Sequence, residues 1–133
     1  MRAHYLWVGL GGGLGTMARY ACSGCAARWF GETFPWGTLL VNVVGSFLIG
    51  LAATLTSPEG RLWVAPEGRE FFLFGFCGGF TTFSSFSLQT LNLIGDGEWP
   101  AALGNIGGSV VLCLSAVWLG VILGMWFNAT RTS

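Results

Sequence analysis

The chain has 133 residues, of which 53% are apolar, 15% aromatic and only 9% charged, and its net charge is zero. A soluble domain carries about 25% charged residues, so this composition excludes a water-facing globular surface. Six basic and six acidic residues in balance, with no lysine, give no reason to expect a nucleic-acid partner. At about 20 residues per spanning helix, the length fits one domain that crosses the membrane four times.

Hydrophobic segments divide residues 1–133 into four predicted membrane spans, which makes the expected fold an all-α membrane protein. Glycines and serines at four-residue spacing in the first two spans allow close helix packing. The turn Gly95-Asp96-Gly97-Glu98 separates the last two spans. The approximate spans are 5–27, 37–56, 71–94 and 101–127.

The arginines are unevenly distributed between the two ends of the predicted bundle. The end of the bundle that holds both termini and the second loop carries four arginines. The opposite end carries only Arg28, in the first loop. Because positive loops stay on the cytoplasmic side, this bias predicts cytoplasmic termini in a multi-pass protein of the cytoplasmic membrane. The four are Arg2, Arg61, Arg69 and Arg131.

The third span contains an unusual polar stretch, GFCGGFTTFSSFSLQ, over residues 75–89. Backbone groups released from a membrane helix need partners inside the protein, so such a break indicates a buried site or a cavity. Unwinding at Gly78-Gly79 would free carbonyl oxygens, which hard cations prefer as ligands. Thr81 or Thr82 would cap the helix where it restarts. One chain supplies few oxygens, so a two-fold pair of chains crossing at the break is the hypothesis.

No carboxylate lies within the predicted spans, which disfavours proton-coupled transport because proton relays commonly use intramembrane acids or histidine. The interior polar groups are amides and hydroxyls, which donate hydrogen bonds to a small anion without a full charge that would trap it. The alternative is that they only join helices, at about 0.6–2 kcal/mol per contact. They include Asn42, Asn105, Ser109, Ser115 and the hydroxyl residues of the third span.

Two stripes with a three-residue spacing follow the break, one aromatic and one hydroxylated. The positive edges of phenyl rings are suited to an anion, although packing is the simpler explanation of such a stripe. Three small polar or polarisable groups at four-residue spacing in the fourth span would form the other wall. The stripes are Phe80, Phe83 and Phe86, then Thr81, Ser84 and Ser87, and the facing groups are Asn105, Ser109 and Cys113.

Arg19 is the one charged residue inside a predicted span. A buried cation is costly and needs a partner, and two interpretations remain open. In the structural one, Arg19 binds backbone carbonyls or extends to the interface. In the functional one, it attracts anions toward a pore entrance.

Four motifs in order resemble the CrcB or Fluc family of fluoride channels, and the resemblance covers essentially the whole chain. The motif of the third span is the most specific of them. The motifs are GGGLGTMARY over 11–20, GTLLVNVVG over 37–45, GFCGGFTTFSSFS over 75–87, and Gly108-Ser109.

The resemblance implies antiparallel dimers of four-helix subunits that enclose two fluoride paths and export fluoride passively, which relieves its toxicity. It implies a central structural sodium ion, held in each subunit by the backbone carbonyls of Gly78 and Thr81. It also implies a fluoride pathway, in which ring edges and neutral donors contact the ion. The pathway residues are Asn42, Phe83, Phe86 and Ser109, with Asn105 and Cys113 at flanking positions and Ser84 on the hydroxyl stripe.

The chain departs from its relatives at three positions. Gln89 stands where many carry a glutamate, so a role for an ionised carboxylate is not implied there. Asn105 replaces a tyrosine of some relatives, and Cys113 stands where a hydroxyl occurs. The arginine bias is unusual for a protein that inserts in both orientations, and a heterodimer with an oppositely oriented homologue is the alternative to a homodimer.

Two other functions fit parts of the sequence. A small dual-topology multidrug or cation transporter is the first, but it would need an intramembrane acid to bind its substrate and proton. A non-transporting membrane subunit is the second, in which the glycines and serines only mediate packing. An enzyme is not expected, since no catalytic constellation appears.

Overall fold

The computed structural model describes residues 1–131 as helices joined by short turns, with no strand in that range. The predicted all-α class is therefore confirmed for this part of the chain. The helices are α1 (Arg2–Phe30), α2 (Trp36–Leu55), α3 (Pro66–Glu70), a π-helix (Phe71–Cys77), α4 (Gly78–Phe80), α5 (Phe83–Gly95) and α6 (Trp99–Ala129).

Among residues 1–131, three helical segments are long and apolar enough to cross a membrane, by length and composition. They are Trp36–Leu55, Pro66–Gly95 and Trp99–Ala129. Helix α1 has 29 residues but is not among them, because many glycines and several arginines interrupt its apolar sequence. Large apolar side chains cover the outside of the molecule, including Trp29, Trp118 and Leu114. Such a surface needs lipid or another apolar partner, as expected of a membrane protein.

Glycines of α1 bring its backbone against the first half of the third segment. A methyl group at Gly11 would overlap the carbonyl oxygen of Phe71, and one at Gly15 would overlap that of Phe76. A methyl group at Gly79 would likewise overlap the carbonyl oxygen of Gly12. Only glycine allows this backbone-to-backbone contact, so the π-helix and α4 lie fixed on α1.

The interruption of the third segment lies at Thr81 and Thr82, so the predicted unwinding at Gly78-Gly79 is wrong. Gly78 is helical, with φ −63° and ψ −38°. Thr81 (φ −89°, ψ 158°) and Thr82 (φ −153°, ψ 112°) are extended, and α5 begins at Phe83. The glycines serve close packing against α1 instead, and the extended residues are held by a side chain of α2.

The start of α5 is capped by Thr82, whose hydroxyl oxygen accepts the backbone N–H of Ser85 at 3.2 Å. This satisfies one of the amides that the first turn of a helix leaves without a partner. The predicted cap is therefore confirmed at Thr82. Thr81 takes a different role, since its hydroxyl donates to the carbonyl of Cys77 at 2.9 Å.

Helices α2 and α6 form a second close pair. Added methyl groups at Gly50 and Gly120 would overlap the carbonyl oxygens of Val117 and Phe47 across this interface. Within residues 1–131, α6 reaches the third segment only through α5. A gap therefore remains between α6 and the interruption, and this gap holds the candidate site.

Candidate ion pathway at the interrupted helix

The gap forms a cavity of about 420 Å³, which we call the break cavity. None of the described residues that line it is charged. Seven residues predicted for the pathway or the cation site share this cavity: Asn42, Gly78, Thr81, Phe83, Phe86, Ser109 and Cys113. Three predicted residues do not line it: Arg19, Ser84 and Asn105.

The side chain of Asn42 holds the interruption open from α2. Its Oδ1 accepts the backbone N–H of Thr82 at 2.7 Å, and its Nδ2 donates to the carbonyl of Thr82 at 3.1 Å. The amide thus replaces both backbone partners that an extended residue loses inside an apolar segment. One N–H of Nδ2 remains available, because an amide nitrogen carries two hydrogens.

The interruption releases the carbonyl oxygens of residues 78–81, among them those of Gly78 and Thr81. In an α-helix the N–H of Thr82 would bind the carbonyl of Gly78, and that of Ser85 would bind the carbonyl of Thr81. Here these two N–H groups bind Asn42 and the Thr82 hydroxyl instead. Neutral carbonyl oxygens are the donors a hard cation such as sodium prefers, so the residues fit such an ion. One chain supplies few such oxygens.

The carbonyl of Gly79, which the interruption also releases, accepts the Nε–H of Arg19 at 3.0 Å. This contact with a backbone oxygen is the kind that the structural interpretation of Arg19 expects. The guanidinium lies on the α1 side of the interruption and outside the lining of the break cavity.

The two phenylalanines that follow the interruption form a tilted pair at the cavity wall. The ring centroids of Phe83 and Phe86 are 5.2 Å apart, with 50° between the planes. Phe83 is 77% exposed in the single chain, whereas Phe86 is half-buried. By contrast Phe80 is buried and stacks on Phe76 at 5.8 Å. The aromatic stripe therefore divides into one core residue and two cavity residues.

A chain of buried hydrogen bonds connects α6 to the pathway wall, and we call it the polar relay. Ser109 Oγ donates to Asn105 Oδ1 at 3.4 Å, and Asn105 Nδ2 donates to Thr90 Oγ1 at 2.9 Å. Thr90 Oγ1 donates in turn to the carbonyl of Phe86 at 2.7 Å. Asn105 is 1% exposed, so its amide joins helices and does not line the cavity.

Thr90 was predicted only as one of the hydroxyl residues of the third span, without a role of its own. The four-residue spacing between Phe86 and Thr90 is consistent with a hydrogen bond within one helix. Nothing in the sequence, however, indicates that Thr90 of α5 lies opposite Asn105 of α6. Ser84, which was predicted, lies exposed at the outer surface, 3.4 Å from the Thr82 hydroxyl. Ser84 therefore does not line the break cavity within this single chain.

The sequence of the chain is similar to those of known proteins. The family model described as CrcB-like protein, Camphor Resistance (CrcB), matches residues 6–121. The chain belongs to the CrcB family. Its relatives include proteins named fluoride-specific ion channel FluC from Opitutus terrae, Methylocella silvestris and Rhodospirillum rubrum. They are 61%, 55% and 51% identical over 97%, 96% and 93% of this chain, covering 98%, 97% and 96% of the relatives.

Membership in the CrcB family confirms the resemblance predicted from the four motifs. It also confirms that the chain is a multi-pass membrane protein of a channel family and not an enzyme. The small multidrug transporter finds no support among these relatives.

Proposed function

We propose that this CrcB-family chain forms a fluoride-selective channel that exports fluoride passively across the cytoplasmic membrane and relieves fluoride toxicity. The observation that carries the proposal is the break cavity, in which neutral donors and two phenyl rings meet at an interrupted helix without a charged lining residue. Names of relatives that are 51–61% identical support the choice of fluoride.

The chemistry of the cavity suits a small, strongly hydrated anion. Fluoride enters an apolar gap only where donors replace its water, since an unpaired buried charge is very costly. The free N–H of Asn42, the thiol of Cys113 and the ring edges of Phe83 and Phe86 supply such donors. The hydroxyl of Ser109 would join them by turning its O–H away from Asn105, to which it donates at 3.4 Å in the single chain. A carboxylate at this point would repel the ion. Ser84 would join the pathway only if a second chain encloses its surface.

The functional unit in this proposal is an antiparallel dimer with four spans in each subunit, α1 being the fourth spanning helix. Gly78 supports an outward-facing interface, since an added methyl group there would meet no atom of its own chain within 4 Å. Two crossing chains would bring together four released carbonyls, those of Gly78 and Thr81 from each copy. A sodium ion bound there would hold the crossed helices together and offset negative charge.

Fluoride efflux from proteoliposomes tests the proposal. Vesicles containing the purified chain and loaded with potassium fluoride should release fluoride to an external electrode when valinomycin allows potassium to leave. Chloride-loaded vesicles are the matched control, and they should release little chloride. No fluoride release, or equal release of both anions, would refute the channel.

The dimer and the sodium ion need separate experiments. Cross-linking of single-cysteine variants at outward positions should join chains in antiparallel register, whereas parallel register would refute the arrangement. Replacement of sodium by a large organic cation throughout purification should lower fluoride efflux, and unchanged efflux after complete exchange would argue against the ion. If the chain is inactive alone but active with an oppositely oriented homologue, the heterodimer is correct.

A further inference from the structure

A cavity of about 360 Å³ lies where α2 ends and the next spanning segment begins, and we call it the Arg69 pocket. Spanning helices end near the level of the lipid headgroups, so the pocket is expected to open toward that layer. Its lining combines polar side chains with large apolar ones. The polar residues include Thr56, Ser57 and Arg69, and the apolar residues include Trp63, Val64 and Phe74.

The guanidinium of Arg69 has donors left for an anion. Its Nε donates to Thr56 Oγ1 at 3.1 Å, which fixes the side chain in the pocket. Within residues 1–131, its terminal nitrogens make no hydrogen bond and no carboxylate lies at ion-pair distance from it. An arginine in this state can bind a phosphate group through two parallel N–H···O bonds.

Glu70 also lines the Arg69 pocket, but its carboxylate is bonded elsewhere. Its Oε2 contacts His4 Nδ1 at 2.6 Å, which joins α3 to the start of α1. Glu70 therefore does not neutralise Arg69, although the two residues are adjacent in the sequence. The pocket holds a cation without a counter-charge, so charge complementarity favours an anionic occupant.

The loop beside the pocket presents apolar side chains that a small soluble anion would leave uncovered. Trp63 is 89% exposed, and its neighbours Leu62 and Val64 are exposed as well. Phe74 is exposed lower in the pocket wall, inside the spanning segment Pro66–Gly95. Tryptophan is typical of the membrane–water interface. The occupant that satisfies both parts of the lining is anionic at one end and apolar at the other.

The charge of this end of the bundle points the same way. It carries four arginines against three glutamates, whereas the opposite end carries one arginine against three carboxylates. Anionic lipids gather where arginines lie close to the membrane surface. The charged residues of this end are Arg2, Arg61, Arg69 and Arg131, with Glu59, Glu67 and Glu70.

We propose that the Arg69 pocket binds an anionic phospholipid of the phosphatidylglycerol class. The phosphate binds the terminal nitrogens of Arg69, and an acyl chain lies along Phe74 with Trp63 at the level of the headgroup. Basic pockets between spanning helices recognise anionic headgroups in this way. Phosphatidylethanolamine carries the same phosphate but also an ammonium group, so its zero net charge leaves Arg69 uncompensated. The site is separate from the break cavity and does not depend on the proposed transport of fluoride.

Native mass spectrometry of the full chain in detergent tests the site by counting bound lipids. Titrations use phosphatidylglycerol and phosphatidylethanolamine with identical acyl chains. Phosphatidylglycerol should bind about fivefold more tightly, the factor that one arginine near the membrane surface contributes. Equal affinity for the two lipids would overturn the proposal. Absence of saturable binding to a dimer would also overturn it, because a second copy of the chain would then cover the pocket.

Arg69→Gln should remove the preference for phosphatidylglycerol and leave the binding of phosphatidylethanolamine unchanged. Arg28→Gln is the matched control, since it removes the arginine at the opposite end of the bundle. The control should keep the preference. Equal loss in both variants would show unspecific attraction and overturn the site.

A further variant and a competitor complete the test, because Arg69→Gln also removes the bond to Thr56 that supports the fold. Trp63→Ser changes a side chain that is 89% exposed, so the fold does not depend on it. This variant should weaken phosphatidylglycerol severalfold, and unchanged binding would overturn the placement of the lipid. Inorganic phosphate at the concentration of the lipid should not displace it. Displacement would identify a free anion as the occupant and overturn the lipid.

Discussion

The break cavity and a second cavity differ in the charge of the residues that line them. The second, which we call the loop cavity, has a volume of about 680 Å³ and lies where the α1–α2 loop meets the α5–α6 turn, lined by Glu32, Asp96 and Glu98 among others. Asn42 lines the first and Thr38, one turn earlier on α2, lines the second. The break cavity has no charged lining residue among those described, whereas the loop cavity has three carboxylates. One turn of helix therefore separates a neutral, hydrogen-bonding environment from a strongly negative one.

The two cavities show where charge can be tolerated in a pathway for an anion. Water screens the carboxylates at the end of the bundle, so their repulsion at a distance is small. Inside the apolar gap the same charge would act at short range with little screening. Four sets of substitutions test this contrast.

A carboxylate placed in the break cavity should abolish fluoride transport. Asn42→Asp keeps the shape but adds a negative charge, and at about 4 Å in a partly screened site the repulsion is about 4 kcal/mol. The expected loss of fluoride efflux is about a thousandfold. Asn42→Ala separates the causes, because it removes the bonds to Thr82 without adding charge. Equal loss in both variants would show that charge is not the reason.

Removal of the phenyl rings should slow fluoride by at least about tenfold, the equivalent of about 1.4 kcal/mol in the barrier. Phe83→Ile and Phe86→Ile keep an apolar side chain but remove the positive ring edge. Efflux from proteoliposomes measures the rate. Phe74→Ile is the control, since Phe74 is 69% exposed and lies outside the break cavity. If all three variants slow fluoride alike, the rings only pack.

Loss of the polar relay should have an intermediate effect. Thr90→Val removes the hydroxyl that joins Asn105 to the Phe86 carbonyl. The loss of a hydrogen bond costs about 1 kcal/mol, and if this is added to the barrier the rate of fluoride efflux should fall about fivefold. Thr90→Ser keeps the hydroxyl and should restore efflux. Combined with Asn105→Leu, the Thr90→Val change should add little, because both break the same relay. Full additivity would mean that the two residues act separately.

Removal of charge from the loop cavity should have the smallest effect and the opposite sign. Asp96→Asn combined with Glu98→Gln removes two negative charges from the loop cavity. Two unit charges at about 10 Å from a fluoride ion in water repel it enough that their removal should raise fluoride efflux about two- to fourfold at low salt. The difference should vanish at about 1 M salt, where the screening length is about 3 Å. A gain that persists at high salt would contradict a screened, long-range effect.

The sequence was sufficient to predict the helical class, the family and the approximate position of the interruption. Apolar segments, glycine spacing and the motif over residues 75–87 carry that information locally. The start of α5 was also predictable, because Thr82 is a good capping residue wherever an extended backbone precedes it. These features depend on residues close together in the chain.

The errors arose where a distant side chain decides the outcome. Glycine permits unwinding at residues 78 and 79, but close contact with Gly12 makes the helix continue there. Asn42, forty residues away from Thr82, supplies the donor and the acceptor that move the interruption to the threonines. The role of Thr90 could not be predicted for the same reason, since its partner Asn105 lies on another helix.

The glycine contacts between α1 and the third segment have a mechanical consequence. Backbone atoms that already touch at Gly11, Gly15 and Gly79 leave no side chains whose rotation would let one helix slide along the other. The π-helix, α4 and α1 therefore behave as one stiff body that carries the released carbonyls. Helix α6 has no such attachment to that body, so thermal changes in the width of the break cavity are concentrated on the α6 side, where Ser109 and Cys113 lie.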